Sequence, residues 1–197
     1  MGSASLNPRN RSYPEQYVSP WTMKHGTQVT IRPIRIEDEA LMVRFHESLS
    51  DRTVYLRYFS SLSLSRRTAH ERLFRICTCD YENEMVLVAE HTDSQTGDLH
   101  ILGVGRLNKV PETNEAELAG LVADQYQRRG LGTELLRRLI KVAQDEQISR
   151  LRAEMLRDNF VIQIIFKRLG FRLRLRSDPV SVQAVLDLQA GSLPPTV

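Results

Sequence analysis

The chain has 197 residues, 41% of them hydrophobic, which is enough for one buried core and too short for two ordinary domains. With 27 Lys and Arg against 24 Asp and Glu, the formal charge is +3 and the pI near 9.0; this small excess favours anionic partners in general and is not a nucleic-acid composition by itself. No run of about 18 apolar residues and no signal-peptide core occurs, so a soluble, cytoplasmic protein with no membrane partner is expected.

Residues 1–20, "MGSASLNPRNRSYPEQYVSP", are polar and proline-containing and are expected to form a flexible N-terminal segment, partly a cloning remnant; one domain is expected over 21–190 and a tail over 191–197. "TQVTIRPIR" (27–35) alternates and is β-branched, which predicts a strand. Residues 36–49 then space Ala40, Val43 and Leu49 helically, and Ser50 opens a second short helix through "RTVYLRYF". A third helix is expected over 65–77, with Ala69, Leu73 and Ile76 on one side. "EMVLVAEH" and "LHILGVGRLNKV" flank the turn-rich "TDSQTGD" as a hairpin, and "AELAGLVA" (116–123) is another strand.

The second half alternates. A glycine turn opens a helix over about 131–146, whose Leu131, Leu135, Leu139 and Val142 make a buried stripe. "SRLRAEML" (149–156) is a strand, "DNFVIQIIFKRLG" a helix capped by Asp158 and ended by Gly170, "FRLRLR" a strand with arginines on one face, and "VSVQAVLDL" the last strand. The pattern is that of an α/β (α+β) domain with helices covering a central sheet.

Cys77 and Cys79 have one residue between them, too few for an easy local disulfide and half of a structural zinc site, and read as thiols of a reducing compartment. The histidines at 25, 46, 70, 91 and 100 show no metal spacing, so no metal is expected. The turn "QRRGLG" (127–132) is the chemically informative stretch. A helix N-terminus offers unpaired N–H groups and the positive end of a dipole to an anion, and Gly130 and Gly132 let the backbone approach it. Arg128, Arg129 and the Thr133 hydroxyl add charge and a donor, which suits a phosphate. A dinucleotide fold would want Gly or Ala where Leu135 stands, and the Gly-Lys-Ser/Thr of a Walker loop is absent. Coenzyme A is the third possibility.

"QRRGLG", after a strand and at a helix start, resembles the acyl-CoA signature of the GNAT N-acyltransferases, and "NFVIQIIFKRLGF" (159–171) is similar to that superfamily's second signature. "VTIRPIRIEDEALMVRFHESLSDRTVYLRYF", "DYENEMVLVAE" and "AELAGLVADQYQRRGLG" further resemble the catalytic domain of bacterial Pat-type protein lysine acetyltransferases, over most of residues 28–132. The resemblance implies a GNAT fold, with a mixed, mostly antiparallel sheet of about seven strands and four to five helices. It implies acetyl-CoA as acyl donor and a protein acceptor, an acyl-CoA synthetase switched off by lysine acetylation. Members often carry a large synthetase-like or a cyclic-nucleotide-binding domain; this chain has neither, and is expected to be an excised catalytic domain or a stand-alone relative.

Residue by residue, the resemblance makes Glu117 the catalytic base, which takes the proton an ammonium of pKa near 10.4 must lose before attack. It assigns backbone N–H groups at Leu121 or Val122 to the thioester oxygen and at Ala123 to the pantetheine arm. The turn from Gln127 through Arg128, Arg129, Gly130, Leu131 and Gly132 to Thr133 takes the pyrophosphate, and Asn159 helps hold the pantetheine. Many relatives place a thiolate-protonating tyrosine at position 166; Phe166 cannot donate a proton and is expected to pack against the cofactor or the core. "YLRYF" (55–59) lies at the acceptor entrance or in the core. Two other classes remain open: acetylation of a small amine, and a non-catalytic acetyl-CoA sensor. A nucleic-acid surface of Lys167, Arg168, Arg172, Arg174 and Arg176 is disfavoured, since alternating arginines on an outer strand usually form a solvated face. Oligomeric state is left open.

Overall fold

The computed structural model describes residues 12–176 and 178–188; residues 1–11 and the tail expected over 191–197 lie outside them. Eight strands form one sheet: β1 (Ser19–Thr22), β2 (Gln28–Pro33), β3 (Glu84–Thr92), β4 (Leu99–Lys109), β5 (Glu115–Val122), β6 (Arg150–Leu156), β7 (Arg172–Leu175) and β8 (Ser181–Asp187). Their order is β1-β2-β3-β4-β5-β6-β8-β7, and every neighbouring pair is antiparallel except β5 and β6. The α/β class and the mixed, mostly antiparallel sheet are as expected. The eighth strand is β1, which begins in the last two residues of the stretch expected to be flexible: Pro20 and Trp21 pair with Thr30 and Val29 of β2.

The helices are α1 (Glu39–Glu47), α2 (Asp51–Tyr58), α3 (Leu64–Arg67), α4 (His70–Cys77), α5 (Leu131–Asp145) and α6 (Phe160–Arg168). On one face of the sheet α5 buries Leu131, Leu135, Leu139 and Val142 as the stripe requires, each residue contributing roughly 1.5–3 kcal/mol on a transfer scale. It lies close because β4 carries glycines there: a Cβ on Gly103 would stand 3.0 Å from Leu135 Cδ1, and one on Gly105 3.0 Å from Leu139 Cδ1. The other face is covered by α1, α2 and α4. In α1 the buried side chains are Met42, Phe45 and His46, followed by Leu49, while Ala40 is exposed and Val43 half-buried. Both stripes fit a helix, and the bulkier one removes more apolar area from water. The helix expected over 65–77 is two, α3 and α4, broken at Thr68 and Ala69, and Ala69 is exposed.

β5 and β6 share only three parallel residue pairs, Glu115 with Arg150, Ala116 with Leu151 and Glu117 with Arg152. Glu115 fastens this seam by ion pairs to Arg150 (3.0 Å) and Arg152. Past Glu117, β5 continues to Val122 beside β4, and β6 continues beside β8, with which it is paired throughout, so the two strands part with an unpaired edge of β5 facing the gap.

Candidate active site

Along β5, Ala116 and Leu118 join the core under α5, whereas Leu121 joins the core under α1 and α4. By the period of two, Glu117 and Ala119 share the face of Leu121. Glu117 is exposed at the last rung of the seam, opposite Asn108 of β4, and forms no ion pair or side-chain hydrogen bond among the described residues. Asn108 is in turn opposite Glu84 of β3. Among the described residues Asn108 Oδ1 and Glu84 Oε1 are both buried without a hydrogen-bond partner, on the two strands that follow Glu117 along this row of the sheet.

The backbone of β5 divides its donors. Ala123 N–H donates to Leu102 O at 2.9 Å, and antiparallel alternation turns the Leu121 N–H toward β4 as well. The N–H groups of Gly120 and Val122 therefore point into the gap between β5 and β6. This selects Val122 over Leu121 as the donor available there, and leaves Ala123 without the free N–H expected of it.

At the turn, Arg128 (φ 60°) and Gly130 (φ 88°) are left-handed, which curls the backbone into a concave run ahead of α5. Glu134 N–H is the first in the helix to be paired, donating to Gly130 O at 3.0 Å; those of Leu131, Gly132 and Thr133 find no acceptor among the described residues. A Cβ on Gly130 would come 3.5 Å from Trp21 and 3.8 Å from Lys24, so the β1–β2 hairpin backs the turn, a contact no local sequence pattern signals. Arg129 lies 5.4 Å over the Tyr126 ring, and neither Arg128 nor Arg129 has a carboxylate partner among the described residues. Free N–H groups, two unpaired cations and a strand edge opening into the same gap fit a coenzyme A pyrophosphate and pantetheine arm.

Gln127 has a different task from the one expected. Its Nε2 donates to Val122 O (3.1 Å) and to Thr53 Oγ1 (3.0 Å), and Asp124 accepts from Ser50 N–H, Ser50 Oγ and Thr53 Oγ1, which ties α2 to the end of β5. The partners from α2 lie 71 or 74 residues away, beyond any motif. Asn159, not Asp158, caps α6, its Oδ1 accepting from Ile162 N–H at 3.4 Å. Phe166 is 3% exposed and packs edge-to-face on Phe171 at 4.8 Å, which places it in the core rather than against a cofactor. Cys77 and Cys79 are buried, and desolvation first, then nearby carboxylates, push both thiols up to about 12, which leaves no thiolate. Arg172 and Arg176 pair with Asp187 and Glu154, as a solvated outer face does. Among the described residues no cluster of His, Cys, Asp or Glu is placed to hold a metal, and no helix is long and apolar enough to cross a membrane.

Comparison with known proteins gives the family and the fold. The model of the acetyltransferase (GNAT) domain family matches residues 28–172. An acetyltransferase of Pseudomonas aeruginosa is 33% identical over 62% of this chain and 63% of its own length. The acetyltransferase Pat of Mycolicibacterium smegmatis is 30% identical over 77% of this chain and 43% of its own, so the chain spans less than two thirds of either relative. Among solved structures, the GNAT domain of S. lividans PAT superposes with a TM-score of 0.78 at 26% identity, covering 90% of this chain and all of that domain.

Proposed function

Because the chain belongs to the GNAT acetyltransferase family, we propose that it transfers acetyl from acetyl-CoA to a lysine of a protein, with an acyl-CoA synthetase as the acceptor and Glu117 as general base. The observation that carries this reading is Glu117 itself: a carboxylate without an ion-pair partner among the described residues, at the point where the β5 edge opens toward the glycine turn. The likeness to two Pat proteins supports the protein acceptor. The two buried free thiols support a reducing, cytoplasmic setting.

In this reading the N–H groups of Leu131, Gly132 and Thr133, with Arg128 and Arg129, hold the pyrophosphate, and the β5 edge at Gly120 and Val122 receives the pantetheine arm. When bound, acetyl-CoA supplies the thioester carbonyl. Glu117, directly or through a water, takes the proton of the acceptor ammonium. The Val122 N–H faces the side on which charge develops as the C–N bond forms and the C–S bond breaks. With Phe166 in the core, the leaving thiolate departs without a dedicated acid, which its pKa near 8.5 permits.

The test is steady-state release of coenzyme A with a purified acyl-CoA synthetase and with a panel of small amines, for wild type and Glu117→Gln. Glu117-dependent release with the protein acceptor alone is the expected result. Release only with small amines would keep family and donor and move the function to small-molecule acetylation.

A further inference from the structure

On the Glu117 face of the sheet, α1, α2 and α4 leave a cleft of about 60 Å³, against the roughly 10–15 Å³ that one water needs. Its floor is Ala119 and Leu121 of β5, and three guanidiniums line it: Arg57 from α2, Arg72 from α4 and Arg106 from β4. Among the described residues only Arg106 of the three has a carboxylate, Glu84 at 2.7 Å. Arg57 and Arg72 lie on the Tyr58 ring, each 5.0 Å from its centroid, and neither forms an ion pair with a described residue. Buried polar atoms point the same way: Arg72 Nε, Arg106 Nε and His46 Nδ1 have no hydrogen-bond partner, and His46 is 2% exposed.

Charge in the cleft is unbalanced. Burial, then Arg72 and Arg67, lower the His46 pKa to about 4, so the imidazole is neutral and adds no cation. Burial pulls the Arg57 guanidinium down from its ordinary value, and Arg106 and Arg72 push the same way. Three cations and one carboxylate in a half-buried cleft are held at a cost that an anion would relieve. Arginine's planar fork suits a carboxylate held through two parallel N–H donors.

We propose that Arg57 and Arg72 form an acceptor subsite that binds a carboxylate of the molecule being acetylated. Arg106 is in register with Ala119, one row along the strands from the Asn108–Glu117 pair. Two residues of strand rise separate the rows by about 7 Å. The preferred acceptor therefore carries a carboxylate near its reactive amine, as an acidic residue beside a lysine does, or an ω-aminocarboxylate. The inference rests on the reading of Glu117 as the base that receives the amine.

The experiment uses matched acceptors that differ only by carboxylate and amide. One arm is a lysine peptide with a flanking Glu or Gln; the other is an ω-aminocarboxylate and its amide. Preference is read as the ratio of kcat/KM and, independently of turnover, as the ratio of Kd by calorimetry on the protein saturated with coenzyme A. Wild type is expected to favour the carboxylate at least about tenfold in one arm, which identifies its source as protein or small molecule. Arg57→Gln and Arg72→Gln should each bring that ratio toward one, with thermal melts confirming that both fold. A wild-type ratio of one in both arms, or an unchanged ratio in both variants, overturns the subsite. An inactive Glu117→Gln beside a ratio of one would leave the base standing and remove only the subsite. An active Glu117→Gln beside a ratio abolished by the arginine variants would do the reverse.

Discussion

Asn108 of β4 stands in register with Glu117 of β5, and its buried Oδ1 has no hydrogen-bond partner. A buried unsatisfied acceptor costs on the order of 1–3 kcal/mol, so a donor placed between Asn108 and Glu117 relieves it. A lysine ammonium or a bridging water is such a donor. Glu117→Gln should lower turnover by about 10²–10⁴-fold while coenzyme A binding, followed by calorimetry, stays at the wild-type value. Near-normal turnover would take Glu117 out of the mechanism.

The two turn glycines should respond differently to alanine. At Gly130, φ is +88°, a left-handed conformation that an alanine adopts only under strain, so Gly130→Ala should cost roughly 1–2 kcal/mol in stability and weaken coenzyme A binding. The Gly132 Cβ would meet only Val122 Cγ2 at 3.5 Å, ordinary contact. Gly132→Ala should melt at close to the wild-type temperature; equal losses in the two variants would contradict the turn's assigned geometry.

Arg32, 3% exposed, donates to both Asp38 oxygens at 2.7 Å and to Glu90 at 2.6 Å, joining β2, the start of α1 and β3. Removing one partner of a buried pair strands the other charge, so Asp38→Ala should lose about 3–5 kcal/mol in urea unfolding. Glu90 is more exposed, and Glu90→Gln should lose less.

His46 gives the fold a pH dependence. Its pKa is about 4 in the folded chain and 6.5 in a model peptide, so the unfolded chain binds the extra proton between those values. Stability contributed by neutral His46 is complete above about pH 6.5 and is lost as pH falls toward 4, by about 3 kcal/mol at most. Unfolding curves at pH 5 and 7 should show that loss in wild type and a smaller one in His46→Leu.

Cys77 and Cys79 should resist thiol reagents in the native protein at pH 7, and Cys79→Ala should keep full turnover. Rapid labelling together with loss of activity would give these thiols a part in the chemistry.

What the sequence made legible was whatever repeats locally. The α5 stripe, the β3–β4 hairpin and the glycine turn follow from period and turn chemistry, and all stand where expected. The N-terminal strand did not, because "SPWT" has no strand period and is ordered by pairing with β2. Gln127 was placed by motif with the pyrophosphate, but its amide is engaged by Thr53, brought to it by α2. Asn108 and the arginine cleft were invisible for the same reason: register and helix packing place them, and neither is written in a short stretch.

The three-rung seam between β5 and β6 has a mechanical consequence. Its last rung is Glu117 with Arg152, so the two half-sheets hinge on the residue that would take the proton. Any widening of the gap to admit a long, thin donor swings about that fulcrum, which itself moves least. Admission of the donor can then vary in geometry while Glu117 keeps its station.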